Sequence, residues 1–491
     1  MSADRLYEQL QHKEQLNTLN NQTTKPVELK KIEIEGGEFS DNYYNSLLNP
    51  ILSTSQAIPL KDLNSELIKL REHLQYSGLF KDISINVDLD ENSLIKISKN
   101  DFFHEKGESI PIIAKIKLNQ IPQFKFSSYS TSTDYDASTG FRYLDPNFLK
   151  NASSLLIDIN LNYDPLNKTL NKKIWDLTIL TPFKNSPSYR AIFNPIISSI
   201  DAKSWASHTQ FSRGGFLGIQ KNLSLDKNNF ILTNGVSIIN RTIGDISNSA
   251  SDSIRADAGD DVKIGIISNL KYDSIEKIGS FPINGVKFDL TNEFSGFNNS
   301  IDSISQNKED SELNKFNKSV LKFENYKSFL NNNFTTLFDF QIGSIHSLDS
   351  NKSIHINDRF HLGGNESLKG FHLNSVGLKN GNDYIGGSSF FKTGLTFFSK
   401  IPNISNKSPL RLYNYINIGD NFNYNNNLEF LQKLTQNSGD LIKNSAISTG
   451  LGLAYKSPNA VLDLSYNFPL SDRSQDNAKP GLSFSVALNF F

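Results

Sequence analysis

From residue 124 to the end, apolar side chains return at every second position in one short segment after another. A period of two gives the two faces of a β-strand different chemistry. The last segment shows it most clearly. Leu482, Phe484, Val486, Leu488 and Phe490 alternate with Ser483, Ser485, Ala487 and Asn489, and the sequence stops on Phe491. Phe334, Thr336, Phe338, Phe340 and Ile342 alternate likewise, as do Leu462, Leu464, Tyr466 and Phe468. The segments are 124–133, 138–146, 153–163, 173–182, 188–197, 208–220, 228–239, 261–272, 282–292, 315–327, 334–345, 389–399, 410–419, 445–455, 460–468 and 482–490. That makes sixteen, and an even count lets the two ends of an antiparallel cylinder meet. Most run about 9–11 residues, enough to cross a bilayer at a tilt near 45°. Pro195 makes 188–197 the least regular of them. A large soluble sandwich would carry strands of the same kind, so the alternation alone leaves both architectures open.

Composition narrows the functions. The chain is 37% hydrophobic and 11% aromatic, with 35 Phe, which suits a barrel with a polar lumen and aromatic girdles. A net charge of −1 carries no electrostatic footprint for a nucleic-acid partner. The absence of cysteine excludes disulfides and thiolate metal sites. No apolar run is long enough for a transmembrane helix. The opening MSADRLYEQLQHKEQ has no apolar core like that of a secretory signal, and its acids argue against a cleaved mitochondrial presequence. A membrane barrel beginning this way is expected to be made in a eukaryotic cytosol and imported.

Ahead of the alternating region the pattern differs. Residues 1–26 are polar and expected to be disordered. Residues 27–120 read as β-α-α-β-β. Val27–Glu35 forms a strand, and Ser40 caps a helix to about Leu52. Pro59 opens a second helix carrying Leu60, Leu63, Leu67, Leu70 and Leu74 on one face, and strands follow around 83–89 and 112–118. This predicts a small α+β domain with two helices on one sheet face.

The connection 346–388 is far longer than a hairpin loop and is expected to be functional. It contains Arg359-Phe360-His361-Leu362-Gly363-Gly364-Asn365-Glu366-Ser367-Leu368-Lys369-Gly370-Phe371. This resembles the signature of the BamA-type superfamily of β-barrel assembly and translocation proteins, which runs Arg-Phe-x-x-Gly-Gly-x-x-Ser-apolar-Arg-Gly-aromatic on a loop folded into the lumen. The helices before Tyr76-Ser77-Gly78-Leu79-Phe80 resemble that family's polypeptide-transport-associated (POTRA) domain. Gly386-Gly387 and Gly450-Leu451-Gly452-Leu453 fit as well. The resemblance covers about residues 27–491 and implies a 16-stranded transmembrane barrel over 124–491 behind one POTRA domain. With one such domain and no export signal, the chain is most similar to the core barrel subunits of the mitochondrial sorting and assembly machinery.

The resemblance implies an insertase of the mitochondrial outer membrane, with its POTRA domain in the intermembrane space. Its partners would be β-barrel precursors of porin and translocase-pore type, accessory subunits on the cytosolic side and the bilayer. The lateral gate would join the first strand (Phe124, Lys125, Phe126, Ser127, Ser128, Tyr129, Ser130) to the last. The last strand carries Lys479, Gly481, Phe484, Val486, Leu488 and Phe490 in the pattern of the sorting signal of mitochondrial barrel precursors. Lys369 stands where the family has arginine. An ammonium cannot fork onto a carboxylate, so a weaker loop anchor is expected, with Asp420 or Asp463 as its partner. No cofactor, metal or catalytic residue is expected. No phosphate loop, nucleophile elbow or H-E-x-x-H helix occurs, and His355, His361 and His372 lack the spacing of a metal site. The alternative is a protein-translocating or metabolite-conducting outer-membrane channel, mitochondrial or of the chloroplast envelope.

Overall fold

The computed structural model describes residues 26–490, apart from 53–56, 77–79, 91–108, 121–125, 134–136, 165–167, 184–185, 224–228, 300–313, 349–352, 403, 405–407, 424–442 and 472. The expected disordered segment before Pro26, Ser77-Gly78-Leu79, and Phe124 and Lys125 therefore lie outside the described residues. Two compact units separate: residues up to 123 with 145–154 and 180–190, and the remainder.

In the first unit, β1 (Pro26–Glu35) is followed by a helix over Asp41–Leu52, the two-residue β2 (Ile58–Pro59), a helix over Leu60–Tyr76, β3 (Phe80–Leu89) and β4 (Ile110–Gln120). The sheet order is β2-β1-β4-β3, with β1 parallel to β4 and the other pairs antiparallel. Spacings of three and four residues put Leu63, Leu67, Leu70 and Leu74 on one helix face. All four are buried, together with Tyr43, Leu47 and Ile51 of the other helix and Ile83, Ile112, Ala114, Ile116 and Leu118 of the sheet. Ser40 caps the first helix, its carbonyl accepting from Tyr44 N at 3.2 Å and its Oγ from Tyr43 N at 3.4 Å. Pro59 does not open the second helix. It ends β2 opposite Pro26, an edge position where a residue without an N–H costs no ladder bond, and the helix begins at Leu60. Leu67→Ala should cost about 2–5 kcal/mol. Hydrogen exchange is expected to show faster amides in β1 and β4 and unchanged amides in the second unit.

The remaining strands close into a barrel. They are β5 (Phe126–Thr133), β6 (Ala137–Asp145), β7 (Ser154–Asp164), β8 (Thr169–Phe183), β9 (Ser186–Asp201), β10 (Thr209–Asn222), β11 (Asn229–Gly244) and β12 (Gly259–Asp273). After the short β13 (Glu276–Ile278) come β14 (Phe281–Asn299), β15 (Asn314–Phe329) and β16 (Phe334–Ser347). The two-residue β17 (Lys379–Asn380) and β18 (Asp383–Tyr384) pair within the long connection. The barrel then finishes with β19 (Ser389–Lys400), β20 (Leu410–Phe422), β21 (Ala446–Lys456), β22 (Ala460–Pro469) and β23 (Gly481–Phe490). β13 folds back on the start of β14 while β12 pairs with β14 directly, so the wall has sixteen antiparallel strands, closed by β23 on β5. All sixteen expected segments are present, several extended by a few residues.

β9 runs straight through Pro195. The neighbouring Gly215, whose added Cβ would lie 3.4 Å from Pro195 Cα, leaves the two backbones room. The faces divide as a membrane requires. Leu464, Tyr466, Phe468, Leu482 and Phe484 are exposed on the outside, whereas Ser465, Asn467 and Ser483 are buried inside. Ile238, Ile264 and Ile266 are exposed, whereas Arg241, Asp261 and Lys263 are buried. An apolar exterior around a polar lumen is what hydrocarbon demands of a spanning sheet.

Candidate functional site

The connection between β16 and β19 folds back into the lumen. At its base Phe360 and Gly387 exchange N–H···O bonds of 2.9 Å in both directions. Phe360 packs its ring 4.6 Å from that of Phe390 on the wall. Gly364 N–H donates to Phe371 O at 3.1 Å, which turns 364–371 into a closed tip. Gly363 sits at φ +116°, where an added Cβ would be 2.2 Å from His372 O, so only glycine fits the turn. Leu368 and Phe371 are buried. Gly370, at φ +87°, brings the tip against Ser448 of β21, whose Oγ donates to Lys369 O at 2.5 Å. Ser367 N–H donates to Gly364 O at 3.1 Å within the tip. Arg359 braces the loop itself, Nε donating to Ile354 O at 2.9 Å.

Lys369 projects from the tip to the wall. Its Nζ donates to both Asp463 oxygens at 2.9 Å and to Tyr413 Oη at 2.7 Å. It also stands 4.9 Å and 5.6 Å from the ring centres of Tyr413 and Tyr415. Those rings lie over Gly452 and Gly450, where a Cβ would come within 2.4 Å and 2.6 Å of them. The glycines of the Gly-Leu-Gly-Leu run thus make space for the two rings beside the ammonium. Asp420, the other candidate partner, lies on the opposite face of β20 from Tyr413 and pairs with Arg473 at 2.8 Å. Its neighbour Asn421 faces the lumen and binds the loop backbone, Nδ2 donating to Phe360 O at 3.2 Å and Val376 O at 3.0 Å.

A second joint was not foreseen from sequence. Asp358, 2% exposed, accepts from Arg241 Nη1 of β11 and Lys263 Nζ of β12, each at 2.7 Å. Its carbonyl accepts from Lys318 Nζ of β15 at 2.7 Å. Arg241 also forks onto Asp261, and Lys263 reaches Glu293 at 2.6 Å. Burial would raise the Asp358 carboxyl, but Arg241, Lys263 and Lys318 outweigh it and hold it well below its usual 3.8. Because the shift is downward on folding, the ionised group stabilises fully at neutral pH and loses its effect only as pH falls below that value. A third joint is Asp383, which accepts from the N–H groups of Ser207 and Ser251 at 2.9 and 2.7 Å. Of the loop histidines, His355 lies buried beside Phe297, 5.6 Å between rings, with Nδ1 accepting from Asn357 N–H, and His361 packs against Trp205 at 4.7 Å with the rings tilted. Burial pushes the His361 imidazole down to about 3, so it is neutral at physiological pH.

Where the barrel closes, pairing is short. Among the described residues, Ser128–Thr133 of β5 meets Ser485–Phe490 of β23 in six pairs, beside seven between β5 and β6 and against thirteen between β12 and β14 and fifteen between β11 and β12. β23 reaches past β5, since Gly481–Phe484 pairs with β22 beyond the described end of β5. The loop tip touches both the segment leading into β23, where Lys479 N–H donates to Gly370 O at 2.7 Å, and β23 itself, where Asn365 Nδ2 donates to Phe484 O at 3.4 Å.

Residues 123–490, nearly the whole barrel unit, match the model of the Omp85 superfamily domain. The chain belongs to the Omp85 superfamily. A SAM50-like protein of Schizosaccharomyces pombe is 24% identical over 484 residues, 96% of this Omp85 chain and 92% of the relative. The 50 kDa sorting assembly machinery subunit of Saccharomyces cerevisiae is 31% identical over 177 residues, 35% of this chain and 36% of that one. BamA from Haemophilus ducreyi lacking POTRA domains 1–3 is similar in fold, with a TM-score of 0.67 at 14% identity over 94% of this chain and 85% of its own.

Substitutions at the tip and at both acids separate the candidate anchors. With a cysteine placed at Ser367, Lys369→Ala or Asp463→Asn should speed maleimide labelling several-fold, while Asp420→Asn leaves the rate unchanged. Asp358→Asn should act more strongly, because it leaves Arg241 and Lys263 buried against a neutral amide, at a cost of about 3–5 kcal/mol.

Proposed function

We propose that this Omp85 protein is the barrel subunit of a mitochondrial sorting and assembly machinery and inserts β-barrel precursors into the outer membrane through the β5–β23 seam. The short closure, six pairs among the described residues, carries the reading. A half-inserted client exposes strand edges whose unpaired N–H and C=O groups cost several kcal/mol each in hydrocarbon. A host seam with few main-chain bonds can part and lend its own edge to the client, strand added to strand. The client's C-terminal strand would pair with β5, hairpins would follow between the parted edges, and the finished barrel would leave. The residues from Lys479 to Phe490 would double as this protein's own sorting signal. Residues 27–120 would form a POTRA domain in the intermembrane space, and accessory subunits would sit on the cytosolic side. The names of the S. pombe and S. cerevisiae relatives support this assignment. A loop seated in the lumen by Lys369, Asp358 and Asp383 disfavours an open conducting channel.

The test is a lockable seam. Ser130 and Leu488 face each other across it, and cysteines at both should form a disulfide in a chain that otherwise has none. The oxidised protein is expected to hold porin precursors without releasing them, and reduction should restore release. Normal insertion with the bond formed would rule out the lateral route.

A further inference from the structure

The first strand is stitched along one side. Tyr129 faces Gly140 of β6, and an added Cβ there would fall 2.0 Å from the tyrosine Cζ, so the glycine lets the ring lie flat across β6. Beyond it the phenol reaches β7, donating to Asp158 Oδ1 at 2.7 Å and accepting from Asn160 Nδ2 at 3.0 Å. Arg142 of β6 places Nε at 2.9 Å and Nη2 at 2.6 Å from the other Asp158 oxygen. Its guanidinium carbon stands 5.3 Å from the Tyr129 ring centre. Thr131 Oγ1 and Ser138 Oγ are hydrogen-bonded, and Ser130 Oγ donates to Ser138 O at 3.3 Å. On the outer face the rings of Phe126 and Phe141 lie 6.3 Å apart. These contacts tie the first strand to the second and third, and Arg142 ties the second to the third.

We propose that Tyr129, Asp158 and Arg142 form a register clamp. It binds β5 to β6 and β7 so that the β5–β23 line parts first, and it holds one register of β5 for the incoming strand. The proposal rests on the lateral-gate reading above. A strand of small hydroxyl side chains specifies its register weakly, and a slip of two residues would keep its lumen and lipid faces and meet little resistance. A charge-assisted bond across three strands supplies the missing specification. Tyr129 is thus a positioning residue.

Disulfide mapping tests it in the full-length protein in membranes. Ser130 and Thr139 are directly opposite across β5–β6, while Ser130 and Ala137 lie on the same face two positions out of register. With Tyr129 in place, a Ser130/Thr139 cysteine pair should oxidise readily and a Ser130/Ala137 pair poorly. In Tyr129→Phe, which removes one hydroxyl and keeps the ring, the in-register bond should fall several-fold and the slipped bond should rise. Porin-precursor insertion should slow several-fold while precursor still arrives. Asp158→Asn should behave the same way. Unchanged disulfide register in Tyr129→Phe overturns the clamp, whatever insertion does. The gate is tested separately by a photo-crosslinker at Ser128 in the otherwise unaltered chain. A lack of client adducts there overturns the gate, and the disulfide register still decides the clamp.

Discussion

A peptide group in hydrocarbon must find its hydrogen-bond partner within the protein, because no water is there to supply one. The long wall strands meet this condition over thirteen or fifteen residue pairs at a time. The closure meets it over six. The same requirement that makes the cylinder close therefore makes a short ladder a line along which it opens at low cost, and the proposed activity rests on that contrast. The lumenal loop spans much of the interior, held to β11, β12 and β15 through Asp358 and to β20, β21 and β22 through Asn421, Ser448 and Lys369.

The tip shows how a point charge does the work of a fork. An ammonium lacks the planar, two-pronged geometry of a guanidinium. Lys369 instead distributes three donor contacts over Asp463 and Tyr413, with the ring centres of Tyr413 and Tyr415 4.9 Å and 5.6 Å away. Both rings depend on glycine beneath them, so the anchor belongs as much to Gly450 and Gly452 as to the lysine.

The barrel was legible in the sequence because its signal is local. Alternation is written into each strand by the difference between lipid and lumen, and it survives even Pro195. Parity would also have separated the two acids: counted from Tyr413, Asn421 shares the lumenal face and Asp420 does not. The Asp358 joint was not legible. Its partners Arg241, Lys263 and Lys318 come from three strands far away in sequence, and each alone is an ordinary charge on a polar face. The clamp at Tyr129 was hidden for a similar reason. A tyrosine among serines gives no sign that Asp158 waits two strands away. Pro59 misled because a proline before an apolar helical repeat suits both a helix start and the end of an edge strand.

Around the second joint, among the described residues, the wall sets three cations, Arg241, Lys263 and Lys318, beside two carboxylates of its own, Asp261 and Glu293. The loop's Asp358 completes the balance. A vacated interior would therefore present a surplus positive patch to the water that replaced the loop, and small anions would gather there. At the tip the signs reverse, because Asp463 would lose the ammonium of Lys369, so an emptied cylinder would carry opposite charge at its two loop seats.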